Sequence, residues 1–274
     1  MFMRYALQDY TRLTWSTNAT NAGSTGGAYL KALEVRNNRT YYYKMSLGDT
    51  YQGIIGHETV NEYIVHRLLQ QLGIPHLTYN LINALVNVDG RIFTTPINSS
   101  IEYKRKDETK VTVESWYRYN RKDNEEPYQT LARYGFSDYL DAMFLVDFLI
   151  VNRDRHGANI EMLYDAQDNL RIAPLYDHGV SFVAPYQNNV AAIATFDPMA
   201  DVQTTNFVGR QSLYYNLSLI RKPVVVNALK EEALRCILRE VQPYLTPQHI
   251  QKIYAIITGR YMYARNQAVL CEKR

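Results

Sequence analysis

The spacing of apolar residues divides the chain into two parts. In about the first third, apolar and polar positions alternate with the two-residue period of a strand, which predicts strands at residues 28–35, 40–46, 78–88 and 91–97. The turn sequences "RNNR" and "DG" separate the two members of each pair. Between the pairs, residues 58–71 have helical spacing, and Gly73 and Pro75 follow as stop signals.

After a polar stretch at residues 98–124, which we expect to be a hinge and insertion, the pattern is mostly helical. Ser137 is the predicted cap of a helix that runs to about residue 151 and is apolar on nearly every side, so it should be buried. The segments "IEMLYD" and "NLRIAPLYD" then predict a short hairpin.

The last predicted helix is capped by Thr246 and has Pro247 at its first position. Helical spacing gives it an apolar stripe that should face the core. The residues of that stripe are Ile250, Tyr254, Ile257, Tyr261 and Ala264.

Together these elements predict an α+β protein with two lobes. The β-rich N-terminal lobe would comprise residues 1–98, and the mainly helical C-terminal lobe residues 99–274. Two such lobes leave a cleft between them, and clefts of this kind are common ligand sites.

Composition narrows the choice of partners. With 274 residues, 46% hydrophobic and 21% charged, the chain is typical of a globular protein. A net charge of +3 is too small for an electrostatic nucleic-acid binder, and no apolar run is long enough for a membrane span, so we expect neither partner. The two cysteines cannot form a disulfide framework and no signal-peptide pattern is present, which favours a reduced, cytoplasmic protein.

The segment "NRDRHGAN" at residues 152–159 follows the predicted buried helix and is rich in charged and amide side chains. Phosphoryl transfer from ATP needs cations for the phosphates, oxygen ligands for Mg²⁺ and a base for the attacking hydroxyl. Asp154 suits the base and Asn159 a metal ligand. The hairpin after them would return Asp177, in "APLYDHGVSF", to the side of Asn159 as a second metal ligand.

Lys44 lies in the middle of a predicted strand, "YYYKMS", where alternation sends it to the face opposite its neighbours. A lysine that faces a cleft can contact phosphates, and a helix glutamate can hold it in place. Glu58 and Glu62 share one helical face, so spacing leaves both as candidates for this partner. The glycines of "AGSTGG", before these strands, could let backbone N–H groups approach phosphates closely.

Each of these features alone has an ordinary explanation. A "DRH" segment is commonly a turn with a satisfied salt bridge, and a strand lysine commonly protects a sheet edge. Asp177 could be a turn residue, and His156 could be structural. Their order along the chain is what predicts a kinase: a Gly-rich loop, a strand lysine, a helix glutamate, Asp-x₄-Asn and a later Asp.

At these residues the sequence resembles the HipA-like kinases, a bacterial branch of the protein-kinase and phosphoinositide-kinase fold. The motifs are "DFLIVNRDRHGANIEML" followed by "LRIAPLYDHGVSF". In addition, "STGGAYLKAL" is similar to the family's phosphate loop, "YYYKMS" to its nucleotide lysine and "NEYIVHRLLQQLGIP" to its N-lobe helix. The resemblance implies that Lys44 contacts the nucleotide phosphates with Glu62 as its ion-pair partner. It also implies that Asp154 is catalytic and that Asn159 and Asp177 hold Mg²⁺.

The resemblance further implies an ATP- and Mg²⁺-dependent Ser/Thr protein kinase, whose partners would be a protein substrate and an antitoxin-like regulator. Its nucleotide-binding loop would contain Ser24, Thr25, Gly26 and Gly27. Ser24 lies where the family carries a serine that can be autophosphorylated. The nearby alternatives for that modification are Ser16, Thr17, Thr20 and Thr25.

Two other functions remain as alternatives. The "DRH" also resembles phosphoinositide kinases, in which the histidine approaches the transferred phosphate, so His156 would be catalytic and the substrate a lipid or a small molecule. No basic amphipathic membrane-surface helix is evident, which argues against a lipid. The other alternative is a non-catalytic module that binds a nucleotide and a partner protein.

Overall fold

The alternating segments near the N-terminus form one sheet in the computed structural model, which describes residues 6–17, 29–49 and 53–273. Within those residues the sheet has five strands in the order β1-β6-β7-β3-β2, antiparallel except for the β1–β6 pair. The elements of this part are β1 (Gln8–Asp9), β2 (Lys31–Arg36), β3 (Arg39–Met45), β4 (Gly48–Asp49), β5 (Gly53–Ile54), α1 (Glu58–Leu72), β6 (Asn80–Val88) and β7 (Arg91–Ile101).

Strand alternation gives this sheet one face with its own apolar core. Tyr43 and Met45 of β3 are buried there, with 2% and 0% of their surfaces exposed. Lys44, between them, therefore points to the opposite face, as its position in the strand predicts. The four predicted strands and the predicted helix are present, with ends that differ by a few residues. Strand β7 continues to Ile101, beyond the lobe boundary that we placed after residue 98.

The remaining elements are mainly helical. They are β8 (Thr109–Thr112), α2 (Val113–Asn120), α3 (Pro127–Arg133), α4 (Ser137–Ile150), β9 (Asp154–Arg155), β10 (Glu161–Tyr164), β11 (Leu170–Ile172), α5 (Val190–Thr195), β12 (Thr205–Asn206), α6 (Leu213–Ser218), β13 (Val224–Val226), α7 (Glu231–Val241), α8 (Pro247–Asn266) and β14 (Leu270–Glu272). The polar stretch expected to be a hinge contains regular structure. Its strand β8 pairs with β10 of the predicted β10–β11 hairpin.

Helix α4 is the buried helix that the sequence predicts. Its side chains from Met143 to Ile150 are all buried, because the helix is surrounded by the large core of this part. The predicted cap is wrong: Ser137 is the first helical residue, and Phe136 occupies the cap position without a side-chain hydrogen bond. The helix ends at Val151, which has φ 55°, a left-handed conformation that is rare for a β-branched residue.

Helix α8 begins as predicted, with the Thr246 side chain accepting a hydrogen bond from the His249 backbone N–H and with Pro247 at its first position. The predicted stripe is only partly correct. Ile257, Tyr261 and Ala264 are buried, but Ile250 and Tyr254 line an open groove beside α7 and are only half-buried. The buried face is centred instead on His249, Ile253, Ile256 and Arg260.

Helix α1 packs against strands β6 and β7 of the sheet and against helix α7. Its apolar residues belong to the large core, which is separate from the core of the sheet. Tyr63 donates a 2.7 Å hydrogen bond to Glu240 of α7, and Arg67 forms an ion pair with the same carboxylate. At the end of α1, the Asn227 N–H donates to the Leu72 carbonyl at 2.8 Å. The helix is therefore attached to α7 at its middle and to the segment after β13 at its end. None of the helices among the described residues is long and apolar enough to cross a membrane.

Two histidines near the end of α1 make the stability depend on pH. The His66 and His76 rings share a hydrogen bond of 2.8 Å. Burial lowers the pKa of His66 to about 4 and also lowers the pKa of His76. The two histidines bind protons more readily in the unfolded chain than in the folded protein. The pair therefore stabilises the fold above about pH 6.5, and this contribution is lost as the pH falls toward 4.

We therefore expect the free energy of unfolding to decrease between pH 7 and pH 4.5. In His66→Gln this decrease should be smaller by about 1–2 kcal/mol, since the ring is only partly buried and solvent reduces the effect of its pKa shift. Urea titrations at several pH values measure both quantities. An identical pH dependence in the wild type and the variant would show that the pair does not contribute.

Candidate active site

Three of the predicted site residues meet at one ammonium group. The Lys44 Nζ atom, on β3, lies 2.7 Å from Oε1 of Glu62 on α1 and 2.8 Å from Oδ1 of Asp177, which follows β11. The second oxygen of Glu62 accepts a hydrogen bond from Asn98 Nδ2. Glu58, the alternative partner, instead accepts a 3.0 Å hydrogen bond from the Leu47 N–H. Of the two glutamates, Glu62 is thus the one that pairs with Lys44.

These charges are largely removed from water. The Lys44 side chain is 13% exposed and that of Glu62 is 1% exposed. Burial alone would lower the pKa of Lys44, but Asp177 and Glu62 raise it well above its ordinary value. Burial raises the pKa of Glu62 to about 7, whereas Lys44 outweighs burial at Asp177 and lowers the pKa of that carboxyl. Asp177 is therefore the carboxylate that carries the negative charge most firmly.

The backbone around Asp177 is held against α1. Asp177 has φ 55°, and its N–H donates to the Tyr79 hydroxyl at 3.3 Å. Two residues later, the Gly179 carbonyl accepts a 2.9 Å hydrogen bond from Asn61 Nδ2 on α1. A Cβ atom at position 179 would lie 2.9 Å from the Cβ of Glu58, so only glycine allows this close approach. The approach brings Asp177 to the same lysine as Glu62.

Asp154 and Asn159 lie on the loop after α4. The Asn159 Nδ2 donates a 2.9 Å hydrogen bond to the Asp154 backbone carbonyl, which fixes the amide orientation and leaves its Oδ1 to act as a ligand. His156 Nε2 lies 3.7 Å from Asp154 Oδ1. Burial raises the pKa of Asp154, Asp177 adds to the rise, and His156 and Lys44 oppose it. A partly exposed carboxylate with a raised pKa is well suited to accept a proton.

A cleft of about 160 Å³, partly open to solvent, lies beside the Lys44 cluster. Its lining includes Lys44, Glu62, Asn159 and Asp177, whereas Asp154 and His156 are outside the lining. Away from the charged cluster, the cleft wall contains the Tyr103 and Tyr176 rings, which stack with centroids 5.8 Å apart. The charged end of the cleft is thus the Lys44 cluster, and the tyrosine pair adjoins two further charged groups, Glu161 and Lys110.

The predicted phosphate loop lies outside the described residues, and this includes Ser24, Thr25, Gly26 and Gly27. Tyr29, the first described residue after the loop, has its ring centroid 4.7 Å from the Lys44 Nζ atom. The chain therefore enters β2 beside the lysine.

Lys31 is a cleft residue that the sequence reasoning missed. It is directly opposite Lys44 in the β2–β3 pairing and lines the same cleft. Burial lowers the pKa of Lys31, and the neighbouring Lys44 lowers it further. Among the described residues, no carboxylate lies within ion-pair distance of it. The turn sequence could have predicted this position, because a hairpin closed by Arg36 and Arg39 places Lys31 opposite Lys44.

The donor groups at the charged end fit a magnesium–nucleotide complex. Asp177 offers an ionised oxygen and Asn159 an amide oxygen, which are the ligand types that Mg²⁺ prefers. No group of three or more His, Cys, Asp or Glu side chains in the described part of the chain could hold a metal. Two protein ligands are nevertheless enough for Mg²⁺, since it retains water and takes phosphate oxygens as well.

The sheet, the helical part and the cleft between them make up the two-lobed architecture of the kinase-like proteins, so the predicted fold class is confirmed. The structure is similar to that of the Helicobacter pylori proinflammatory kinase CtkA, with a TM-score of 0.57 over 96% of this chain and 98% of that one. The two sequences are 15% identical, so the similarity establishes the fold alone. No protein-family model and no curated protein sequence matches the chain.

Removing the shared cation should destabilise the fold in a pH-dependent manner. In Lys44→Met, the buried Glu62 would lose its cation and keep only the hydrogen bond from Asn98, and Asp177, with 33% of its side chain exposed, would lose the same cation, so we expect a loss of about 3 kcal/mol at neutral pH. Without the lysine the pKa of Glu62, already raised by burial, would rise further and Asp177 would lose the cause of its low pKa, so the variant should regain stability as the pH falls and lose it as the pH rises. The difference in unfolding free energy from the wild type should thus be larger at pH 8 than at pH 5.

Lys252→Met is a matched control for this measurement. Lys252 donates to the backbone carbonyls of Ala194 and Phe196 rather than to carboxylates. Its loss should therefore cost the same at both pH values. If Lys44→Met shows the same pH-independent loss, the two carboxylates do not depend on the lysine.

Proposed function

We propose that this protein is an ATP- and Mg²⁺-dependent kinase that transfers the γ-phosphate to a serine or threonine hydroxyl of a protein. The observation that supports it most strongly is the ammonium of Lys44, which bonds to a glutamate of α1 and to Asp177 at the edge of one cleft. Each residue type that phosphoryl transfer needs is present around that cleft. The similarity in fold to a protein described as a kinase agrees with this proposal.

The cations would bind the phosphates. An ammonium has three N–H donors, and Glu62 and Asp177 use two of those on Lys44, so the third can donate to a phosphate oxygen. Lys31, on the same face of the sheet, would supply a second positive charge. The stacked tyrosines in the cleft wall would offer ring surfaces to the base.

The remaining polar residues would organise the transfer. Asn159 and Asp177 would hold Mg²⁺, which when bound neutralises charge on the phosphates. Asp154 would accept the proton of the attacking hydroxyl. Its position outside the cleft lining, with 37% of its side chain exposed, suits a base that meets a second substrate arriving from solvent.

The choice of a protein acceptor rests on the motif resemblance to HipA-like kinases. The same resemblance supports a bacterial protein in the cytoplasm, and Cys236 and Cys271, both free thiols, suit a reducing compartment. A lipid or small-molecule acceptor is the second candidate. It is favoured by His156, which is 40% exposed and lies beside the carboxylate of Asp154.

The first test removes the base. Asp154→Asn should decrease the rate of γ-phosphate transfer by about 10²–10⁴-fold while nucleotide affinity changes little, since Asp154 is outside the cleft lining. Radiolabel transfer and calorimetric titration of ATP measure the two properties. Asp165→Asn, which changes an exposed turn aspartate, is the control and should behave as wild type. Labelling by Asp154→Asn at the wild-type rate would rule out this base.

A second test identifies the acceptor. Wild-type protein is incubated with labelled ATP and Mg²⁺ alone, with a protein mixture and with phosphoinositide vesicles. We expect label on protein, including peptides around Ser24, and loss of that label in Lys44→Met and Asp154→Asn. Label on lipid alone would favour the second candidate. Nucleotide binding without transfer to any acceptor would indicate a non-catalytic module.

A further inference from the structure

A buried ion pair lies behind the candidate active site. Asp147 of α4 is 2% exposed, and Arg155, which directly follows Asp154, is completely buried. The guanidinium contacts both carboxylate oxygens, with Nη2 at 2.9 Å from Oδ1 and Nε at 3.2 Å from Oδ2. The same Oδ1 accepts a 2.8 Å hydrogen bond from Asn152 Nδ2. This carboxylate therefore ties the loop after α4 to the helix itself.

The other side of the guanidinium reaches the two candidate metal ligands. Arg155 Nη1 donates to the carbonyl of Tyr176 at 2.8 Å and to the carbonyl of Asn159 at 3.3 Å. Tyr176 immediately precedes Asp177. One nitrogen atom thus contacts the backbone of Asn159 and the backbone next to Asp177, which belong to separate segments of the chain.

This contact needs an arginine. A guanidinium is planar and holds its donors in a rigid fork, whereas a lysine ammonium is a single point on a flexible chain. Asp147 is needed as well, because its two oxygens accept from Nε and Nη2 of Arg155, and buried donors left without acceptors are costly. Since neither side chain lines the cleft, the pair would not touch the nucleotide.

We infer that Asp147 and Arg155 are positioning residues that fix the separation between Asn159 and Asp177, and so set the affinity of the site for Mg²⁺ in the presence of a nucleotide. The inference rests on the proposed function, because it assigns the pair a task at the same metal site. The effect is mechanical: the ion pair orients Arg155, and Arg155 holds the two ligand-bearing segments at one distance. Loss of partners behind the ligands of a metal site commonly lowers metal affinity about 10–100-fold.

The test measures binding, without turnover. A non-hydrolysable ATP analogue is titrated calorimetrically into wild type, Arg155→Lys and Asp147→Asn, once with Mg²⁺ and once with EDTA. In the wild type, Mg²⁺ should strengthen binding of the analogue. In both variants this strengthening should decrease about 10-fold or more, while binding in EDTA should stay within about twofold of wild type because the lysines of the cleft are unchanged.

Arg260→Lys provides the matched control. Arg260 is also completely buried, and its guanidinium donates to the backbone carbonyls of Pro198, Phe148 and Ala200, away from the cleft. The control should lose stability yet keep the full effect of Mg²⁺. If Arg155 had only a structural role, Arg155→Lys would likewise lose stability and keep the full effect of Mg²⁺.

The outcomes are separable. If Mg²⁺ does not strengthen binding to the wild type, the proposed function fails and this inference fails with it. If it does, but Arg155→Lys and Asp147→Asn retain the full effect, the positioning role alone is wrong. Circular dichroism checks folding before each titration. If both variants are unfolded where Arg260→Lys is folded, the pair is structural and the inference is also rejected.

Discussion

The structure depends on how one positive charge is shared between two carboxylates. Lys44 comes from the sheet, Glu62 from α1 and Asp177 from the segment after β11, and their contacts join three separate parts of the fold. Burying these groups is costly in water-free surroundings, and the mutual hydrogen bonds offset that cost. Keeping these charges paired therefore fixes how the sheet, α1 and the segment after β11 meet at the cleft. The same three residues form the charged end of the cleft.

A second buried arrangement supports the first from behind. Asp147 and Arg155 hold the loop with Asp154 and Asn159 against α4, and Arg155 also contacts the backbone before Asp177. The two ion pairs therefore converge on the same short segment from opposite sides. One fixes the side chain of Asp177, and the other fixes its backbone. These two sets of contacts together explain how Asp177, whose backbone is in the left-handed conformation, is held in one position.

Much of this arrangement was predictable, because it depends on local periodicity. Strand alternation predicted the face of Lys44, and the apolar run predicted the burial of α4. Spacing could not separate Glu58 from Glu62, since the choice depends on how α1 meets the sheet and Gly179. Arg155 was missed because arginines in polar segments are normally solvated, and its burial follows from a long-range contact with Asp147. The displaced face at the start of α8 has a similar cause: His249 is buried in place of Ile250 and makes a long-range hydrogen bond to the Gln187 carbonyl.

The attachment of α1 to α7 has a consequence for how the cleft can change shape. Glu240 holds Tyr63 and Arg67, and Asn227 holds the end of the helix, so α1 belongs mechanically to the larger part of the molecule. The sheet has a separate core, and a tilt of the sheet against α1 would leave the Glu240 and Asn227 contacts of the helix intact. Any widening of the entrance by such a tilt would pull the lysine away from a stationary glutamate. Opening of the cleft to a ligand and separation of Lys44 from Glu62 would thus occur together. A spectroscopic distance between β3 and α1 would follow both.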